Sequence, residues 1–480
     1  MKKTLLIAVF TFFALFMAAI DGAAASLPQI RITCQGVINP DDYIPGTINV
    51  TDVDGSVWNC NIELRRRGST AKYYTVKPAL NIKLRDAGGE ELDHNLLGLR
   101  TASSFILDAM AIDRINMRNR ICFDIWNEFS RLPYDTDFDG RNGTVGRYVE
   151  VYIDGSYKGI YCLTDKINRK LLDLKKPETD AATGETKIRG LLYKNGTSDV
   201  IDESKVTFLD DYLLYVASPG DVWELHEPEE LASHKAWEPI IDFYADGNCD
   251  NYEYIKEHFW VENLADFAVH VLAMSLSDNW KRKNKYFSIQ NVTKSGDKSR
   301  FVVTPWDMDT SLGGYYDGSF YNGNYSDWKT ETFLANAPVP FAACIKEPEF
   351  VELMKQRWLV GRDGPYSIPA VSDKLRETAA LFIESGAWQR TLEKQPLGEE
   401  IVTDLEKEIE MIIDWYKERH AIVDGFFGIP NDDAQVPTLT DSAERKEDMI
   451  FNMQGIRLKS INSPGIYIIN GKKTFVGATN

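Results

Sequence analysis

The sequence predicts an α+β fold of two lobes in series, a β-rich first and a helical second, followed by a short β-type appendage. Three observations predict it. Over about residues 27–195, apolar and polar positions alternate in short runs bounded by turn residues. Over about 196–430, apolar residues recur at helical spacing instead. After a Pro-, Asp- and Thr-rich linker at 431–447, residues 448–480 return to short strands punctuated by glycine.

The first 25 residues stand apart from this plan. "MKK" is a positive start, "TLLIAVFTFFALFMAAI" an apolar core, and Ala23 and Ala25 sit in the small-residue cleavage pattern. That is a Sec-type signal peptide, cut after Ala25, and it predicts an exported protein: periplasmic, cell-surface or secreted. No later stretch reaches the roughly 18 apolar residues that span a bilayer, so no membrane span is expected once the leader is gone.

In the first lobe, "QIRITC", "GTINVTD", "NIELRRRG" and "ALNIKLRD" read as strands. After "AIDRIN" a helix is expected through "MRNRICFDIWNEF", where Ile121, Ile125 and Trp126 share a face. "RYVEVYIDGSYKGIYCLTDKI" reads as a hairpin turning at Asp154-Gly155. The polar run "KKPETDAATGETK" is expected as a surface loop, and "RGLLYKN" as a further strand. The second lobe carries helices in "ELASHKAWEPIIDFYAD", "VENLADFAVHVLAMSLS", "FVELMKQRWLVG", "VSDKLRETAALFIESG" and "IVTDLEKEIEMIIDWYKERHAIVDGFF", several of them preceded by Asp or Ser as a cap.

With 480 residues, 44 % hydrophobic and 12 % aromatic, the chain can build a large core and is not of the disordered class. Its net charge of −18 argues against non-specific nucleic-acid binding, and an anionic substrate needs a local basic pocket or a metal. The six cysteines show no Cys-x-x-Cys spacing, which speaks against structural zinc; Cys34 and Cys60 are the nearest local pair for a disulfide.

The chemistry gathers at "PWDMDTSLGG", residues 305–314, which follows the strand-like "RFVVT". If strand pairing persists through it, Asp307 and Asp309 point to one face, since side chains alternate with period 2. Upstream, "SLSDNWKRKNKYFSIQN" ends a long apolar helix at Ser277, opens a polar loop at Asp278, and leads into a strand that can pair with "RFVVTPWD". Such a hairpin brings the Asp278–Asn284 loop to Asp307 and Asp309. Magnesium takes one or two carboxylates plus phosphate oxygens. An Asp to orient an attacking hydroxyl, an Asn to complete the metal shell and a metal-binding Asp after a hairpin are the parts protein kinases use for phosphoryl transfer. A cation for the phosphates is offered by "LRRRGSTAKYYTVKPALNIKL", where Gly68-Ser69-Thr70 can turn backbone N–H groups toward an anion and Lys77 and Lys83 follow.

These stretches, in order, resemble the CotH family of spore-coat-protein-H-like atypical protein kinases. "RRRGSTAKYYTVKPALNIKL" is similar to the family's R-G-N-S-T…K-K-P-Y-x-I-K-L segment, and "FILDAMAIDRINMRNRICFDIW" resembles W-x-L-x-A…D-x-S…R-N. "YVEVYIDGSYKGIYCLTDKINR" resembles Y-V-x-V-Y-I-N-G-x-Y-x-G-V-Y-x-L-x-E; "LYK" at 192–194, the Asp278–Asn284 loop and "PWDMD" complete a likeness spanning roughly residues 27–425. The resemblance implies a bilobal kinase-like domain over 26–430 that binds ATP with Mg²⁺ or Mn²⁺ and phosphorylates Ser or Thr of a partner protein. It implies Asp278 and Asn284 as catalytic-loop residues, and Asp307 as metal ligand with Asp309 beside it. Lys83 is the first choice for the phosphate-contacting lysine, with Lys77 and Lys166 open. Trp306 either lines the nucleotide pocket or packs beneath the metal loop.

Two departures bear on activity. Asp165 stands where the family carries Glu, one methylene shorter, and "GST" replaces "GNST". They leave room for a kinase-like surface or binding protein without turnover. A metal-dependent hydrolase is a third reading, against which the scattered histidines speak. The tail "MQGIRLKSINSPGIYIINGKKTFV" is similar to the C-terminal sorting domain of type IX secretion substrates, through Gly455, Leu458, Gly465, Ile466, Tyr467, Gly471, Lys472 and Lys473. That likeness implies a Gram-negative bacterial source and contact with the secretion machinery.

Overall fold

Strands with apolar residues at every second position must cover one face, and in the first lobe they do so by curling into a cylinder. The computed structural model describes residues 25–68, 77–136, 140–196, 213–215, 222–228, 234–245, 248–280, 283–315, 330–394 and 402–430, together with strand residues 450–451, 457–458, 465–469 and 472–476. The leader up to residue 24 and the linker at 431–447 lie outside the described residues. The chain divides into two compact units, one of residues 1–396 and 402–428, the other of 397–401 and 429–480.

The first unit opens with β1 (Gln29–Cys34), β2 (Ile44–Thr51), β3 (Val57–Arg66), β4 (Leu80–Arg85) and β5 (Ser104–Asp108). Helix α1 (Arg118–Phe129) follows, then the hairpin β6 (Gly146–Ile153) and β7 (Ser156–Thr164). The seven strands form a closed barrel in the order β1-β2-β3-β4-β5-β7-β6, where the sequence suggests only a β-rich lobe. Closure is made by β1, which pairs antiparallel with β2 and parallel with β6. It is pinned where Asp154 accepts the Cys34 N–H at 2.8 Å and donates its own N–H to the Ile32 carbonyl at 2.9 Å. Ile30, Ile32, Ile48, Val50, Ile62, Leu64, Ile82, Leu84, Phe105, Leu107, Val151 and Leu163 fill the interior from all seven strands. Asp154 and Gly155 both adopt positive φ, +48° and +76°, as a two-residue hairpin turn between right-twisted strands requires.

All six cysteines are free, and β2 runs between the strands that carry Cys34 and Cys60. The polar insertion is exposed and holds a small hairpin of β8 (Glu178–Thr179) and β9 (Thr186–Lys187).

Beyond residue 190 the periodicity of the helices hid a second sheet. It consists of β10 (Leu191–Gly196), β11 (Leu213–Tyr215), β12 (Val222–Glu227), β13 (Lys285–Ile289) and β14 (Phe301–Pro305), in the order β11-β12-β10-β13-β14. The sequence reading assigns β10 to the first lobe, whereas its partners are β12 and β13. β13 and β14 form the expected antiparallel hairpin, Lys285 opposite Pro305 and Ile289 opposite Phe301. Every residue of both strands is buried, so neither shows the alternation that marks a half-exposed strand.

Around this sheet pack α2 (Glu238–Ala245), α3 (Tyr252–His258), α4 (Val261–Met274) and α5 (Ser277–Trp280). Then come α6 (Thr330–Ala335), α7 (Phe341–Cys344), α8 (Pro348–Arg362), α9 (Ile368–Glu384), α10 (Ala387–Lys394) and α11 (Leu405–Phe426). Ser367 and Asp404 cap α9 and α11 by accepting the N–H of Ala370 and Lys407. Helix α4 is apolar nearly all round and is accordingly buried from Asn263 to Met274. It stops three residues earlier than Ser277, where Ser275 turns left-handed at φ +57° and starts the chain toward α5. In the second unit, β15 (Ile450–Phe451), β16 (Arg457–Leu458), β17 (Gly465–Ile469) and β18 (Lys472–Val476) form an antiparallel sheet in the order β16-β15-β17-β18.

Candidate active site

Two loops that are distant in sequence are fastened to each other by one side chain. Asn279, fully buried on α5, donates from Nδ2 to the carbonyl oxygens of Asn284 at 2.8 Å and Trp306 at 2.6 Å. The Trp306 N–H returns a bond to the Asn284 carbonyl at 3.0 Å. Asn284 takes φ +60° to close the loop, a conformation asparagine tolerates better than most residues. Asn279 and Asn284 are thereby locked to the start of "WDMD".

Strand pairing ends at Pro305 and does not run on through the two acids. Asp307 turns left-handed at φ +55° and opens to the cleft, while Met308 is buried against His270, whose Nε2 lies 3.3 Å from its Sδ. Asp309 follows, half-buried. The period-2 expectation therefore does not apply at this loop, because it required strand pairing to persist, and the pairing stops before the left-handed Asp307. The two acids still feel each other. Crowding by the cleft walls raises the Asp307 carboxyl above its ordinary value, and Asp108 and then Asp278 push the same way, against Arg67 and Lys194. Burial raises Asp309 well above its ordinary value too, followed by the negative charges of Asp307, Asp108, Asp113 and Asp278. Such a cluster favours a cation or protons.

The barrel supplies the rest. Asp108, the last residue of β5, accepts from Asn119 Nδ2 at 2.8 Å, and Asn119 Oδ1 accepts the Met308 N–H at 3.0 Å. Asn119, at the start of α1, thus ties the barrel's acid to the loop between Asp307 and Asp309. Asp113 accepts the N–H groups of Ile115, Met117 and Arg118 and pairs with the buried Arg118 guanidinium. Gly314 packs on that arginine so closely that a Cβ would meet Nε at 2.8 Å. Arg67 and Trp306 cover the cleft, the guanidinium 5.3 Å from the indole centre, and Ile106, Arg120, Phe123, Thr144, Cys162 and Thr164 complete its lining. The enclosed space is about 20 Å³, room for a water or an ion.

Asp278 carries an ion pair with Lys283 at 2.7 Å. Trp306 makes edge contacts with Phe123 and Tyr286, so it both packs and lines the cleft. Lys77 is buried and donates to Asn116, and burial lowers it to about 7 against the pull of Asp108 and Asp113. Lys83 is set apart. It points outward between Ile82 and Leu84, 4.5 Å from the Tyr43 ring, and pairs with Ser104, at the far end of β5 from Asp108. Asp165 is also elsewhere: it accepts the Val145 N–H at 2.9 Å and faces Arg100 at 3.7 Å, with no lysine as partner among these contacts.

Sequence reasoning did not single out Asp108, Asn119, Arg67, Lys194 or Asn279. Asp108 had a signal, a lone charge closing the apolar run "FIL"; for Asn279 the signal was weak, one amide in a polar loop. Among the described residues, no three acidic, His or Cys side chains converge closely enough to hold a metal unaided. That is compatible with magnesium, which leaves most of its shell to phosphate and water.

No curated protein matches the chain. The profile of the CotH family, described as CotH kinase protein, matches residues 64–423, three quarters of the sequence and all of the cleft. The chain belongs to the CotH kinase family.

Proposed function

We propose that this chain is an exported, ATP-dependent protein kinase that transfers the γ-phosphoryl group to a Ser or Thr hydroxyl of a partner protein, with Mg²⁺ or Mn²⁺. The observation that carries it is the fastening of the Asp278 loop to the Asp307–Asp309 loop by Asn279. It joins an acid suited to an acceptor hydroxyl with acids suited to a metal. The donor set fits such an ion: two mutually repelling carboxylates, and a buried, unpartnered Oδ1 on Asn279, whose Nδ2 bonds the carbonyl of the residue before Asp307.

Asp307 and Asp309 would hold the metal, which when bound neutralises phosphate charge. Arg67 and Lys194, the cations that act on Asp307, are placed to hold phosphate oxygens. Asp278 accepts the hydrogen bond of the attacking hydroxyl, and Lys283 keeps that carboxylate in place. Trp306 offers an aromatic face beside the site. Asn284, whose carbonyl is already clasped, shapes the loop through its backbone. Positioning and charge compensation carry this chemistry.

A kinase-like binding protein without turnover is the second reading, favoured by the commitment of Asp165 to Arg100 and the Val145 amide. The export reading rests on the leader and the sorting-domain-like tail. The test is γ-labelled ATP with Mg²⁺ or Mn²⁺, on the chain from Ser26 and on Asp278→Ala and Asp307→Ala. Label on the chain or on a generic acceptor, absent from both variants, is the expected result. A folded, metal- and nucleotide-binding chain that transfers no label moves the assignment to the second reading.

A further inference from the structure

A second cavity lies on the other side of the segment that leaves β7. Thr164 lines the acidic cleft, whereas Asp165, the next residue, lines this cavity, and the two linings share no residue. The cavity is large, about 570 Å³, within the range of small-molecule sites. Its wall carries five basic side chains, Arg100, Arg141, Arg169, Lys170 and Lys176, against Asp165 and Asp173. In a chain of net charge −18 this is a local reversal of sign.

Part of that positive charge is compensated. Arg100 faces Asp165 at 3.7 Å and reaches the Asn168 amide oxygen at 3.4 Å, yet its buried Nε has no hydrogen-bond acceptor. Lys170 pairs with Asp93 at 3.1 Å. Arg141 and Lys176 are exposed and carry no ion pair among the described residues. The Leu99, Val145 and Leu171 side chains give the cavity an apolar part as well. Forked guanidinium donors around a void of this size match phosphoryl oxygens, which arginine takes two at a time.

We propose that this cavity binds a small polyphosphate anion, independently of the acidic cleft and of the phosphoryl-transfer reading. The ligand carries at least two phosphoryl groups, free as pyrophosphate or borne by a nucleotide whose base rests on the apolar side.

The test is calorimetric titration of the purified full-length chain with pyrophosphate and, separately, ADP, in EDTA and low salt. Chelation removes any metal that could bridge the anion to Asp307. Saturable one-to-one binding is expected, weakened about tenfold or more in the double variant Arg141→Gln/Lys176→Gln and retained in Asp307→Asn. Both basic residues are exposed, so their replacement leaves the core intact; an unchanged melting curve confirms it. ADP binding more tightly than pyrophosphate, with the same loss in the double variant, identifies a nucleotide ligand, and equal affinities identify the free oxyanion. No saturable binding of either probe, equal affinity in the double variant, or loss in Asp307→Asn alone overturns the proposal.

Discussion

The Lys283 ammonium lies 2.7 Å from a carboxylate oxygen of Asp278, across the turn that Asn279 holds shut. The pair is part-exposed, with about a third of the Lys283 side chain open, so solvent screens it and its worth to stability is small. Its worth to function is larger. In the proposed reaction Lys283 holds the Asp278 carboxylate where it would accept the hydrogen bond of the attacking hydroxyl. Lys283→Ala is expected to lower the label-transfer kcat by about 10²-fold, with a smaller change in KM for the acceptor and partial rescue by Lys283→Arg. Steady-state kinetics on the three chains checks it.

Asn279 serves two carbonyl oxygens from full burial. Asn279→Ala leaves both without that donor, and a buried group left unsatisfied costs about 1–3 kcal/mol. Urea unfolding followed by tryptophan fluorescence is expected to show a loss of that size with an unchanged m-value.

The acids of the cleft repel one another without a cation. Mg²⁺ or Mn²⁺ at about a hundred times its Kd is expected to stabilise the chain by about 2.7 kcal/mol, seen as a rise in melting temperature. Asp307→Asn and Asp309→Asn are each expected to blunt that rise. A metal-induced rise of equal size in both variants would move the metal site elsewhere.

His270 is buried behind Met308, bonded to the Tyr366 hydroxyl at 2.7 Å, and burial lowers it from 6.5 to about 3. The folded chain therefore holds fewer protons than the unfolded one between those values, and stability rises with pH across that window. Acidification from pH 6 to 4 is expected to cost the native chain up to about 1.4 kcal/mol per pH unit through this residue. A His270→Gln variant, less stable at neutral pH, is expected to lose that portion of the slope. Denaturant midpoints at several pH values measure it.

The sequence made the local structure legible where one face is wet. Alternation gave the barrel strands, and the Asp154-Gly155 pair gave the hairpin between two of them. Lys83 shows the same rule used incompletely: flanked by Ile82 and Leu84, which fill the barrel, it had to point outward. β13 and β14, buried on both faces, lack that alternation, and they were read as short apolar runs able to pair, a hairpin that in turn brought the loop acids together. Asp108 and Asn119 were hidden because their importance comes from pairing β5 and α1 with a loop nearly two hundred residues away. The left-handed backbone at Asp307 was hidden because nothing local marks a left-handed aspartate.

The barrel's closing rung sets an order of events. Gln29 must find Glu150, and Ile32 must find Ile153, before β1 has both neighbours. Hairpin contacts form early, since closing a short loop costs little entropy, whereas this parallel seam waits on a long one. Until it zips, β1 and β6 are bare edges, with unpaired N–H and C=O groups that other chains can capture. The last contact to form in the barrel is thus the one that ends its exposure to aggregation, and mutations at the seam are expected to speed unfolding more than they slow refolding.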